Sequence, residues 1–123
     1  MSDKIFKNNV LLFAEVIIPD LRDKTLVQEA LFKNFNQLLN QLEYQADSKV
    51  KMLVKVIEFL SVVYHFKAFN KLTYSKRKVF INRLFQLPVA KIVAGLTGLR
   101  SLVLISYYGL EEVVSKINSN SAK

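Results

Sequence analysis

Cysteine and tryptophan are absent from this chain, histidine occurs once, proline twice and glycine three times. Without cysteine there is no disulfide framework, no thiolate metal site and no thiol switch, a composition compatible with a reducing compartment. The single histidine, His65, has no second imidazole four residues away, so helix-borne metal ligation is excluded at that spacing. Glu58 stands seven residues, two helical turns, before His65 and is too distant to form a local His–carboxylate pair. Gly95 and Gly98 fall inside an apolar helical pattern rather than after a strand, which rules out a phosphate-cradling loop. The one adjacent pair of carboxylates, Glu111 and Glu112, points in two directions and reads as a helix N-terminal turn rather than an acid–base couple. This inventory predicts a chain that is not an enzyme by itself and carries no metal or cofactor of its own.

Acidic side chains are the most conspicuous lack in the second half. From Lys67 to Arg100 there are eight bases (Lys67, Lys71, Lys76, Arg77, Lys78, Arg83, Lys91, Arg100) and no acid. Residues 1–61 balance eight bases against eight acids, so the net charge of +8 belongs to residues 62–123. Such a lopsided field speeds encounter with acidic protein, anionic lipid or nucleic acid without choosing among them. Nucleic acid is the poorest fit, because no base-reading groups are arrayed with Lys76, Arg77, Lys78 and Arg83 and the helix that follows is too apolar to lie in a groove.

What is present is helical periodicity. Apolar residues recur every three and four positions and no useful stretch alternates, which predicts an all-α fold, one bundle of about five main helices plus a short C-terminal helix, in a single domain over 1–123 with a frayed tail at 117–123. The first helix follows Ser2 as N-cap, buries Ile5, Phe6, Val10, Phe13, Val16 and Ile17, and stops where Pro19 moves Ile18 out of helical dihedrals. The second opens on Thr25 and Gln28, at capping-box spacing, and runs to about Tyr44. The third, capped by Asp47 or Ser48 and ending near Phe69, is apolar around most of its circumference. Lys51, Lys55, Glu58 and His65 leave it only a narrow polar stripe, and it is expected at the centre of the bundle.

The fourth helix follows Thr73 to Pro88, and the fifth runs from about Val89 to Tyr108, with Ala90, Ala94 and Gly98 along an edge that another backbone could approach. Gly109 is expected to cap it before a short helix over Leu110–Ile117. Reading Ile92–Leu110 as a membrane span would place Arg100 near its middle, at about 2.5–3.5 kcal/mol on insertion scales, so a spanning helix is not expected. The N-terminus leads straight into a helical pattern with no basic start and apolar run. A cytoplasmic chain is therefore expected, reaching the periplasm or a membrane only through a partner.

One constellation carries more information. Phe69 and Leu72 enclose a tight helix–helix connection, Thr73 caps the fourth helix, and Arg77 stands one turn in, where its guanidinium can bridge carbonyls or a carboxylate of a neighbouring element. Tyr107 and Tyr108 close the fifth helix. Together with the Ile17-Ile18-Pro19 step, these motifs make the chain, from roughly Phe13 to Gly109, resemble the helical small subunit of gluconate 2-dehydrogenase and the related N-terminal helical module of glucose-methanol-choline flavin oxidoreductases.

That resemblance implies a noncatalytic accessory subunit. Such a subunit binds a separate FAD-dependent alcohol, sterol or sugar oxidoreductase and supports its folding, location or substrate access, with the FAD in the large subunit. Arginine and tyrosine dominate many interfaces, so Phe69, Leu72, Arg77, Arg83, Arg100, Tyr107 and Tyr108 are the candidate partner-binding residues. The alternative is a peripheral membrane or lipid-binding module using the basic 67–100 face on an anionic membrane surface.

Overall fold

A computed structural model describes residues 3–42 and 45–121, with side chains described as far as Leu110. Five α-helices make one bundle: α1 (Asp3–Ile17), α2 (Thr25–Gln41), α3 (Ala46–His65), α4 (Tyr74–Phe85) and α5 (Ala90–Ser121), with 3₁₀ turns at Pro19–Leu21 and Phe69–Lys71 and no strand among the described residues. The expected caps at Ser2 and the expected end at Tyr44 lie outside the described residues.

Proline sets the first boundary as the sequence requires. Ile18 leaves the helix at φ −128°, ψ 87°, and Pro19 opens the 3₁₀ turn whose Leu21 is fully buried. Thr73 caps α4, its hydroxyl accepting the Lys76 N–H at 3.3 Å. The other expected caps are not made. Lys24 precedes α2 and Thr25 is already helical, because the Gln28 amide is drawn elsewhere, to the Leu21 carbonyl and Glu15. Gln45 precedes α3, so Asp47 and Ser48 are inside it, and Asp47 pairs with Lys51 at 3.2 Å.

Helix α5 also departs from expectation. Its backbone passes through Gly109 without positive φ and continues to Ser121, so there is no C-cap there, no separate terminal helix, and no helix N-terminus at Glu111 and Glu112, whose side chains lie outside those described. A glycine costs a helix only about 1 kcal/mol relative to alanine, too little to stop one that is packed along its length. Between Ala90 and Leu110, α5 is long and apolar enough to cross a membrane by length and composition, with mean hydropathy 1.3. Here it packs most extensively on α2, and Leu96, Leu99 and Val103 belong to the core.

The centre of the bundle is α1. It touches every other helix and both 3₁₀ turns, and it buries Phe6, Asn9, Val10, Phe13 and Ala14. Helix α3, expected there, buries only Val50, Val54, Ile57 and Ser61. Its polar stripe divides: Lys55 is exposed and Lys51 half-buried, pairing with Asp47 and lying over the Phe6 ring, whereas Glu58 turns inward, accepting from the buried Asn9 amide at 3.2 Å and from the Phe69 N–H at 3.4 Å. His65 sets its ring edge-on to Phe80, 5.5 Å between centroids. An apolar circumference marks a buried helix only if other elements cover its second face, and here the second face is left to solvent.

Phe80 gathers the aromatic cluster, with Phe69 at 6.0 Å and Tyr64 at 6.3 Å besides His65, and it is wholly buried. Phe80→Ala is expected to lower the unfolding free energy by about 3–5 kcal/mol in urea titration, through lost transfer energy and the cavity left behind. Thr73→Ala should cost about 1 kcal/mol in the same measurement.

Candidate binding surfaces

The turn before α4 is built around Arg77. Phe69 and Leu72 drop into the core on either side of the 3₁₀ turn, and Arg77 reaches back under it, donating to the Leu72 carbonyl at 2.6 Å and to Glu15 on α1 at 3.4 Å. Glu15 also accepts from Gln28 of α2 at 3.1 Å, and that amide donates to the Leu21 carbonyl at 2.7 Å. Arg77 Nε is buried without a hydrogen-bond partner among the described residues. The bridge between carbonyl and carboxylate is the one expected of Arg77 at this spacing.

The seven candidate contact residues therefore separate. Phe69, Leu72 and Arg77 are interior and hold elements together, so a partner on the surface does not reach them. Tyr107 is half-buried, and both tyrosines lie within α5 rather than at its end. Arg83, Arg100 and Tyr108 are exposed. Arg100 and Tyr108 share a groove of about 610 Å³ between α1, α4 and α5, whose walls include Lys78 and Asn82, whereas Arg83 is not part of it.

A second surface was hidden from sequence reasoning. Along the outward side of α3, Met52, Val56, Phe59 and Val63 follow each other at steps of four, three and four, and Phe66 adds a further step of three. Met52 is 68% exposed, Phe59 66% and Phe66 87%. Single exposed apolar side chains are ordinary, but a helical row of them is not. The two phenylalanine rings alone present roughly 300 Å² to water, about the largest patch of a typical monomer. Beside this ridge an apolar channel of about 370 Å³ runs between α3 and α5, lined by Leu42, Ala46, Val50, Leu53 and Leu102, with Gly95 and Gly98 among its walls.

The small edge of α5 is open in the monomer. A Cβ added at Gly98 would meet nothing within 4 Å, while one at Gly95 would come within 3.2 Å of Leu53. The signal that could have revealed this surface was the spacing itself: α3 carries two rows at three-and-four steps, and a bundle centred on α1 can cover only one.

Phe66 is the least expected residue of the ridge. It ends α3 in the left-handed conformation, φ 57°, ψ 22°, with its N–H bonded to the Val62 carbonyl at 2.9 Å. Glycine is the ordinary occupant of that position, and a bulky side chain there is strained. Among the described residues, no group of three or more histidine, aspartate or glutamate side chains is placed to hold a metal ion.

Arg77→Ala is expected to destabilise the fold by about 3 kcal/mol, because the largely covered Glu15 carboxylate is left with Gln28 and no cation. In a double-mutant cycle with Glu15→Gln, thermal unfolding should show a coupling of about 1 kcal/mol or more.

In comparisons with protein-family models, curated proteins and solved structures, no match was found. The partner has to be identified from the chemistry of these surfaces.

Proposed function

We propose that this chain is a noncatalytic helical subunit that docks on a larger protein through the outward ridge of α3 and the channel beside it. The observation that carries this reading is Phe66, an aromatic ring 87% exposed and held in a left-handed conformation that suits glycine. Neither burial nor backbone preference accounts for it in the free chain, and strained, exposed residues of this kind accumulate where a surface is used.

The ridge has the form of a helix-packing seam. Steps of four and three keep one line of side chains facing a neighbouring helix, and the channel floored by Gly95 and Gly98 lets a second backbone come close. Lys55 and Lys67, both exposed, stand beside the apolar row, so the complementary surface is an apolar helix bordered by acids. The motif pattern from Phe69 to Arg77 supports a FAD-dependent oxidoreductase as that larger subunit.

Phe66→Gly separates docking from folding. Relief of the left-handed strain, about 1–2 kcal/mol, exceeds the added flexibility of glycine, about 0.5–1 kcal/mol, so the free chain should gain roughly 0.5–1 kcal/mol in urea titration. The same variant, and Phe59→Ser, should lose most of the partner captured by the parent chain from its native extract. A yellow complex with flavin absorbance near the blue supports the oxidoreductase; a colourless complex that still depends on Phe59 and Phe66 keeps the docking face and ends the flavoprotein assignment. Flotation with acidic vesicles, abolished by the same variants and with no protein captured, would overturn docking in favour of a lipid surface.

A further inference from the structure

The groove between α1, α4 and α5 carries a second chemistry, independent of the α3 ridge. Two helical rows contribute to its walls. On α4, Lys78, Asn82 and Gln86 follow at steps of four; on α5, Arg100, Leu104 and Tyr108 do the same. Between them Val16 and Ile17 of α1, with Ile81 and Phe85 of α4, supply an apolar lining. The volume, about 610 Å³, falls among those of small-molecule sites.

None of the ten lining residues is acidic. Among the described residues Lys7 pairs with Glu29, Lys51 with Asp47 and Arg77 with Glu15, and no carboxylate of those residues pairs with Lys78 or Arg100. Two cations facing one groove repel each other, and an anion between them removes that repulsion while gaining charge-assisted hydrogen bonds. The amides of Asn82 and Gln86 and the Tyr108 hydroxyl add neutral donors on the same walls. A free inorganic anion would satisfy the cations and leave the apolar lining wet. A neutral lipid would cover the lining and leave the cations repelling. We infer that the groove binds an anionic amphiphile, one carboxylate or phosphate headgroup set between Lys78 and Arg100 with an alkyl chain laid over Ile17, Ile81, Phe85 and Leu104.

Calorimetric titration of the full chain with dodecanoate and with dodecyl phosphate, below their micellar concentrations, tests this, with amide chemical shifts as the map. Binding is expected, with shifts concentrated in 78–86 and 100–108; the tighter of the two probes identifies the headgroup. Shortening dodecanoate to hexanoate should weaken binding about fourfold per methylene. The Lys78→Gln, Arg100→Gln double variant alters only exposed positions, so it should keep its folded spectrum and lose roughly tenfold or more in affinity.

Dodecanol binding as tightly as dodecanoate would overturn the inference, as would inorganic phosphate binding as tightly as dodecyl phosphate. Unchanged affinity in the double variant would do the same. Binding to acidic vesicles with none to the monomeric probes would assign the charges to a membrane surface instead.

Discussion

Arg77 sets the geometry on which the other features rest. Its guanidinium is one of the few buried polar groups, and it binds the chain at three levels: the carbonyl that ends the turn before α4, the carboxylate in the last turn of α1, and through that carboxylate the Gln28 amide at the start of α2. A buried ion pair adds little stability over well-packed apolar residues of the same volume, but it tolerates little displacement, because any shift leaves a charge unpaired in a poorly polar medium. The pair therefore acts mainly by fixing where α4 lies on α1. The residues next to its two ends, Val16 and Ile17 after Glu15 and Lys78 after Arg77, are walls of the groove. One side chain locks the helices inward while its sequence neighbour presents a charge outward, so the width of the groove follows from the position of the lock.

The inversion of α3 has an equally local cause. Asn9 is buried on α1, where an apolar residue would have left the facing stripe of α3 free to turn to solvent. An unpaired buried amide is costly, and Glu58 relieves it while also receiving the Phe69 N–H that the tight turn leaves over. Ser61 does similar work on the Lys67 carbonyl at 2.8 Å. Once Glu58 and Ser61 are committed to the interior, the helical repeat dictates that Met52, Phe59 and Val63 point away from it. The exposed ridge is thus a consequence of how the interior polar groups are satisfied, and the sequence retains apolar residues on it although solvent would accept polar ones.

Periodicity made the helices legible, and local chemistry fixed some of their ends: Pro19 and Thr73 act through their own backbone and side chain, so no tertiary knowledge is needed to place them. Thr25 with Gln28 has the same local look and fails, because Gln28 finds the Leu21 carbonyl and Glu15, the latter thirteen residues away in sequence. Gly109 fails for a related reason, since a helix held by α2 continues past a residue that would end an isolated one. Of the binding surfaces, the basic half of the groove stood in the run from Lys67 to Arg100. Its apolar lining from α1 did not, since Val16 and Ile17 meet Arg100 only through the fold. The α3 ridge is not legible in the sequence, because apolar residues on every side of a helix say nothing about which row is buried until the partners of its polar residues are known.

Helix α5 lies between the two surfaces and decides how they relate. Leu99 and Leu102 face the channel beside α3, while Arg100 and Leu104 face the groove against α1 and α4. A helix so placed could transmit a shift from one side to the other, but only if it had two seats of similar energy. Its seat is well determined: Leu96, Leu99 and Val103 are closed into the core, the Asn34 amide of α2 meets the Ser106 carbonyl at 3.4 Å, and α2 holds it more extensively than any other pair of elements in the bundle. Displacing it would open cavities in a close-packed interior, at costs of several kcal/mol per large side chain. The rigid wall therefore keeps the effects of a protein on the ridge and of an amphiphile in the groove close to additive, and a strong coupling between them would have to come from a contact that bridges both directly.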